Sequence, residues 1–389
     1  MWPRHTADFT FLRAYVSPDG RGADYSQKNV PYNPKVHFRV AQSFIKDGDF
    51  SFIMGYPGKT YRNYSTPELL FDIEKLKTNI KERLEYISFF EEAGKKGTAL
   101  EIKYASMLRS LYNGLKNYRG KLEAFAKADL VNVKKELDEQ FNNWNKTEQS
   151  RFQNYGGIVN KIEEFLESEY KKFYNKENEI KNLTYYRRGP ALLTQAHTIV
   201  RISLEGQKPD MQRDLGFQER DLPKLIRHMK LAERRYDADV DRDYTIFRFH
   251  RLIDLDKDNI PKFLQSILIQ KGDFKTWATS AYQNTKIANT DFRLSLIKKS
   301  PKELKSLDDP YIDIAFELEK ELAELREQKH ILDQRLEDLK KIYIKGLMEM
   351  HNFKIAPDAN STFRFTSGPI KGYSPRDAVY YQPITTLKG

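Results

Sequence analysis

The sequence predicts an α+β fold in which a long helical block interrupts β-rich sequence. Three observations predict it. Alternating apolar runs fill residues 1–62 and return beyond Phe353. Stripes of apolar residues at spacings of three and four fill the stretch between. Turn residues gather where one pattern gives way to the other. The simplest architecture is a β domain at 1–62 and 355–389 with a helical domain, 63–354, inserted into it.

In order along the chain, Phe9-Thr10-Phe11-Leu12-Arg13-Ala14-Tyr15-Val16 is β-rich and partly alternating. Pro18-Asp19-Gly20-Arg21-Gly22 is a turn cluster, and Val30-Pro31-Tyr32-Asn33-Pro34 is extended because proline restrains the residue before it. Phe50-Ser51-Phe52-Ile53-Met54 reads as a strand running into the turn Gly55-Tyr56-Pro57-Gly58.

Helix begins at Thr66-Pro67-Glu68, with Thr66 as N-cap and Pro67 in the first turn. Its stripe is Leu69, Ile73, Leu76, Ile80, Leu84 and Ile87, and Gly94 and Gly97 mark its end. A second helix carries Leu100, Tyr104, Met107, Leu111, Leu115 and Tyr118. Further helix is predicted over 130–180, 217–236 and 244–297. Asp309-Pro310 opens the last long helix, with a stripe from Ile314 and Leu318 to Leu339 and Ile342. Beyond it, Phe363-Arg364-Phe365-Thr366 alternates and Tyr380-Tyr381 begins another extended piece.

Of 389 residues, 39% are hydrophobic and 13% aromatic, which excludes a disordered chain. No apolar run is long enough for a transmembrane helix. The absence of cysteine excludes a disulfide scaffold, thiolate nucleophiles and Cys-ligated zinc. Net charge is +11, but stretches such as Lys134-Lys135-Glu136 and Glu317-Leu318-Glu319-Lys320 mix both signs. The basicity therefore reads as solvated helix faces, with neither nucleic acid nor membrane expected as partner. Trp2-Pro3-Arg4-His5 has neither the basic nor the apolar region of a signal peptide. The sequence stops at Thr385-Thr386-Leu387-Lys388-Gly389 just as a β-rich region has begun, which suggests a piece of a longer protein.

Several motifs fail on their chemistry. Gly58-Lys59-Thr60 resembles the end of a phosphate loop, but Ile53 stands where the first glycine is needed and Pro57 has no amide to donate. Asp237, Asp239, Asp241 and Asp243 alternate like a calcium loop, yet Arg242 and Arg248 occupy the glycine and bidentate glutamate positions, so a solvated inter-helix loop is expected. No pair of the seven histidines has zinc-protease spacing, and no metal or other cofactor is expected. Asp8, just before a β-rich run, is either a turn residue or a carboxylate at a strand mouth that orients a histidine.

Trp2-Pro3-Arg4-His5-Thr6-Ala7-Asp8-Phe9, with Arg13 and Tyr15, resembles a signature of a bacterial serine dipeptidyl-peptidase family. Dipeptidyl-peptidase seven and dipeptidyl-peptidase eleven are members of it. The resemblance continues through Asp24-Tyr25-Ser26, Val30-Pro31-Tyr32, Gly55 to Thr60 with Arg62, and Ile102-Lys103-Tyr104-Ala105-Ser106. It ends in Pro357-Asp358-Ala359-Asn360, Phe363-Arg364, Lys371-Gly372-Tyr373, Pro375-Arg376-Asp377-Ala378 and Thr385-Thr386-Leu387. Ala7 departs from the family's usual glycine, and Gly114 and Leu115 replace its usual aromatics.

The resemblance implies a chymotrypsin-like double β-barrel with a large inserted α-helical domain. It implies removal of dipeptides from the free N-terminus of peptides by Ser-His-Asp acyl transfer. Asp8 would be the triad aspartate. The histidine would lie upstream of this chain and the serine downstream, so a fragment inactive by itself is expected. Asn113, in Asn113-Gly114-Leu115-Lys116-Asn117, would accept a hydrogen bond from the substrate's α-ammonium group. Peptide substrates, a homodimer and a periplasmic, cell-surface or secreted location for the whole protein are implied in the same way. The alternative is a non-enzymatic basic helical binding protein, or a pseudoenzyme that keeps the fold without the triad.

Overall fold

A computed structural model describes residues 10–185, 188–255 and 260–386. The chain divides into two compact units: Met1–Arg62 with Pro357–Gly389, and Asn63–Ala356.

The first unit is strand and turn. Among the described residues its sheets are three antiparallel pairs: β1 (Tyr15–Val16) with β2 (Val30–Pro31), β3 (Phe50–Gly55) with β4 (Arg364–Pro369), and β5 (Tyr373–Arg376) with β6 (Val379–Tyr381). The β3–β4 register runs from Phe50 opposite Pro369 to Gly55 opposite Arg364. Phe52 and Phe365 stack across it with ring centroids 5.6 Å apart, a cross-strand aromatic pair of the kind that fixes register. Polar contacts lace the two chain segments beside it. Thr60 Oγ1 donates to Asp358 Oδ1 at 2.7 Å, the Arg62 amide donates to the same oxygen at 2.7 Å, and the Ala359 amide donates to Thr60 Oγ1 at 2.8 Å. Thr60 thus has a structural occupation, in keeping with rejection of the phosphate loop.

The second unit is helical. It begins with the long pair α1 (Thr66–Gly94) and α2 (Thr98–Lys127). Then come α3 (Leu130–Lys146), α4 (Gln149–Tyr155), α5 (Ile158–Phe165), a π turn (Leu166–Tyr170) and α6 (Lys171–Asn182). Next are α7 (Ala191–Glu205), α8 (Leu222–Ala232), α9 (Ala238–Leu255), α10 (Lys262–Lys271) and α11 (Phe274–Asn284). Two short helices, α12 (Thr290–Ser295) and α13 (Pro301–Lys305), lead to α14 (Pro310–Met350), 41 residues long.

The cap of α1 is Ser65, one residue before the predicted Thr66. The Ser65 amide donates to the Glu68 carboxylate at 3.0 Å, and this reciprocal box wins over Thr66 as the starting point. Asp309 caps α14 as predicted, its carboxylate accepting from the Tyr311 amide at 3.0 Å. Two stripe residues point outward instead of inward: Leu84 is exposed while Tyr86 and Phe90 are buried, and Ile342 is exposed while Tyr343 and Leu347 are buried. The seam of a straight helix drifts away from any fixed three-and-four pattern over many turns, so neighbours take over.

Helix α7 lies where no helix was predicted. It is buried on every side, from Leu192 and Leu193 to Val200 and Ile202, and its polar side chains Thr194, Gln195, His197 and Arg201 are buried as well, so it lacks the solvated face of a surface helix. The large core joins α7 to α14 and to residues of α3, α5, α9, α10 and α11. Each fully buried Leu or Phe there, such as Leu193, Phe249 and Leu318, contributes roughly 1.5–3 kcal/mol. A second, smaller core packs Tyr86, Ile87 and Phe90 of α1 on Tyr104 and Leu111 of α2 and Tyr244 of α9.

The acidic run at 237–243 is a correction. It was expected to be a solvated loop, but α9 starts at Ala238, and Asp241 is buried. The Asp241 carboxylate accepts from the amides of Ala191 and Leu192 (2.5 and 3.0 Å) and from the Tyr282 hydroxyl (2.6 Å). It serves the otherwise unpaired amides at the start of α7, whose N-terminal dipole favours an anion.

Candidate functional site

Helix α2 organises the most site-like region among the described residues. Its apolar stripe, Tyr104, Leu111 and Leu115, is buried against α1. An adjacent face carries Lys103, Ser106, Met107 and Ser110, which form one wall of a cavity of about 720 Å³ in the helical unit. Arg83 of α1 stands beside it. Tyr185 and Arg188, just before α7, and Leu231, Arg234 and Arg235, at the end of α8 and beyond, complete the lining.

Five of these side chains are cations, and no residue lining the cavity is acidic. Three of the cations are held by neutral acceptors. Lys103 Nζ donates to the Tyr236 carbonyl at 2.7 Å. Arg188 Nη1 donates to Asn182 Oδ1 at 3.3 Å, with its guanidinium 5.5 Å from the Tyr185 ring. Arg83 Nη2 donates to the Tyr118 hydroxyl at 3.2 Å and lies 4.8 Å from that ring. Arg234 is exposed and Arg235 half-buried. Aromatic faces and carbonyls orient a cation without cancelling its charge, so the cavity keeps a positive field.

Below the same wall of α2, Met107 and Arg235 also border a small cavity of about 50 Å³ with Tyr104, Gln195, Asp241 and Tyr244. Deeper still, Arg248 is fully buried, 4.8 Å from the Tyr86 ring, and donates to the Arg188 carbonyl at 3.0 Å. Burial and the nearby Glu82 push the Glu179 carboxyl up to about 7, against the pull of Arg248 and Arg188.

Asn113 is exposed on α2. It stands three residues beyond Ser110, and Asn117 four residues beyond Asn113, so these side chains continue the face that carries Lys103 and Ser106. Three residues, about 4.5 Å of rise, separate Ser110 on the cavity wall from Asn113. Gly114, the next residue of that motif, lies against the Arg83 guanidinium. Asp8 lies outside the described residues, as does His5. Among the described residues, no group of three His, Cys, Asp or Glu side chains could hold a metal ion. None of the described helices is long and apolar enough to cross a membrane.

The basic cavity was not legible as a site. The mixed-sign stretches predict solvated helix faces, whereas the fold gathers part of the positive charge into one concavity. The doublets Arg187-Arg188 and Arg234-Arg235 are the sequence signal that could have found it.

The family model for peptidase S46 matches residues 1–389. An Asp/Glu-specific dipeptidyl-peptidase of Shewanella putrefaciens is 31% identical over 100% of this chain and 53% of its own length. Dipeptidyl-peptidase 7 of Phocaeicola vulgatus is 28% identical over 100% of this chain and 53% of its own. Among solved structures, DPP11 of Porphyromonas endodontalis in complex with the dipeptide Arg-Glu matches with a TM-score of 0.70 and 25% identity, covering 98% of this chain and 54% of that one. The chain spans about half the length of the curated relatives it matches.

Proposed function

The chain belongs to the peptidase S46 family, and on that premise we propose that it is part of a serine-type dipeptidyl aminopeptidase, releasing dipeptides from the free N-terminus of peptides. The observation that carries this reading is the family match over residues 1–389, joined by relatives named as dipeptidyl-peptidases.

In the acyl transfer so inferred, a serine attacks the scissile carbonyl and a histidine moves the proton. Asp8 accepts from the histidine's other ring nitrogen, fixes its tautomer and stabilises the imidazolium that forms. Serine and histidine belong to parts of the whole protein that this sequence does not include. The strand-bearing segments contribute to a chymotrypsin-like double barrel, and the helical unit serves as a cap that limits cleavage to two residues. Asn113 accepts from the substrate's α-ammonium group, an acceptor that needs no charge of its own. The family resemblance supports an exported homodimer, periplasmic or at the cell surface.

The test is made in the whole protein on dipeptidyl substrates. Asp8→Asn lowers kcat by about 10⁴ with KM nearly unchanged, because the wrong histidine tautomer is held in an intact site. Asn113→Ala raises KM for free peptides more than it lowers kcat. An Asp8→Asn enzyme with undiminished kcat would overturn the triad assignment. The 389-residue chain assayed alone hydrolyses none of these substrates.

A further inference from the structure

We propose that the cation-lined cavity beside α2 binds acidic peptide segments, their Asp and Glu carboxylates pairing with Arg83, Arg188 and Arg234. The preference for anions follows from the lining: five cations and no carboxylate around one concavity. Lys103, Arg83 and Arg188 are oriented by a carbonyl, a phenol and an amide, so their charge is in place before any ligand arrives. A carboxylate entering there replaces water with charge-assisted hydrogen bonds, the stronger class of such bonds.

Size and lining choose the occupant. A volume of about 720 Å³ is that of a cleft for a sizeable organic ligand and far exceeds one carboxylate or one phosphate. Ile102, Met107, Leu111 and Leu231 stand between the charges, and Ser106 and Ser110 add hydroxyls. A chain that alternates carboxylates with aliphatic stems and backbone amides meets all three kinds of surface. The choice of a peptide as occupant rests on the dipeptidyl-peptidase reading above; the preference for anions does not.

The experiment is fluorescence anisotropy with the full chain and short peptides labelled at the C-terminus, one of four glutamates and one of four glutamines. The glutamate peptide is expected to bind at least about tenfold more tightly, with an affinity that falls as salt rises. Arg234→Glu and Ser106→Glu alter exposed positions and keep the helical circular dichroism of the parent; each weakens glutamate-peptide binding about tenfold or more. Equal binding of the two peptides, or unchanged affinity in both variants, overturns the proposal. Displacement by inorganic phosphate or by oligo-thymidylate at lower concentration than by unlabelled glutamate peptide overturns the peptide as occupant. An N-acetylated glutamate peptide separates the two readings. If it binds as well as the free peptide, the cavity stands and the role of Asn113 in holding the α-ammonium group falls. If the free peptide binds better only in the presence of Asn113, and glutamate and glutamine peptides bind alike, the reverse holds.

Discussion

Gly114 and Arg83 compete for one space: a β-carbon on Gly114 would come within 2.5 Å of Arg83 Cζ. The guanidinium is the far end of a flexible side chain and can swing aside, whereas alanine gains up to about 1 kcal/mol of helix propensity. Gly114→Ala is therefore expected to keep or raise the thermal midpoint while weakening binding of the glutamate peptide, because Arg83 leaves its place on Tyr118. A lowered midpoint with unchanged binding contradicts this.

Gly346 presents the opposite case. A β-carbon there would meet the Phe141 ring at 2.7 Å and Tyr155 at 3.1 Å, and Phe141 is fully buried. No free end can give way, so Gly346→Ala costs about 1–3 kcal/mol by overpacking, offset in part by helix propensity. Urea unfolding monitored by circular dichroism measures the difference, and a more stable variant would refute the packing argument.

Asp241 holds the start of α7 through two amides and a tyrosine hydroxyl. Asparagine keeps the shape but turns an NH₂ toward one of those donors. Asp241→Asn is expected to lose about 1–3 kcal/mol, the cost of leaving a buried donor unpaired. Hydrogen exchange should show faster exchange at Ala191 and Leu192 than in the parent; uniform exchange across the unit would point elsewhere.

His197 and Glu319 make the helical unit acid-sensitive in two stages. Burial lowers the His197 pKa below its ordinary value even though Nε2 lies 2.7 Å from Glu319 Oε2. Burial alone would raise Glu319, but His197, Arg326 and Arg201 outweigh it and hold the carboxyl at about 2. Both groups have folded-state values below their unfolded ones, so the unfolded chain binds more protons and stability falls as pH falls. The first loss begins below about pH 6.5, where unfolded His197 takes a proton. The second spans about 4.5 down to about 2, as unfolded and then folded Glu319 protonate. His197→Gln keeps a donor for Glu319 and should remove only the first stage. Chemical denaturation at pH 8, 5 and 3.5 checks it, and an unchanged profile in the variant would exclude His197 as the source.

The long helices were legible because one face is apolar and their starts carry capping chemistry, as Asp309-Pro310 shows. What stayed hidden has a tertiary cause in each case. Helix α7 is buried on all sides, its polar side chains included, because the unit closes around it. Asp241 looks like a loop residue until the amides of another helix supply its partners. The cations of the cavity come from α1, α2, the segment before α7 and the turn after α8, so no window of sequence contains the patch. Of the two predicted site residues, Asn113 is found exposed on α2, three residues beyond Ser110 of the basic wall, and Asp8 lies outside the described residues.

The π turn between α5 and α6 means that the chain carries one residue more there than two joined α-helical segments need. Glu167, Ser168 and Glu169 bulge toward solvent, while Leu166 and Tyr170 on either side stay in the core. Removing Ser168 would let the backbone relax to ordinary i to i−4 bonding and leave Phe173 and Ile180 facing the same way as before. Length variation in this part of the molecule can thus be absorbed in the middle of a helix, and a related sequence one residue shorter should take its alignment gap at this turn, with no connecting loop altered.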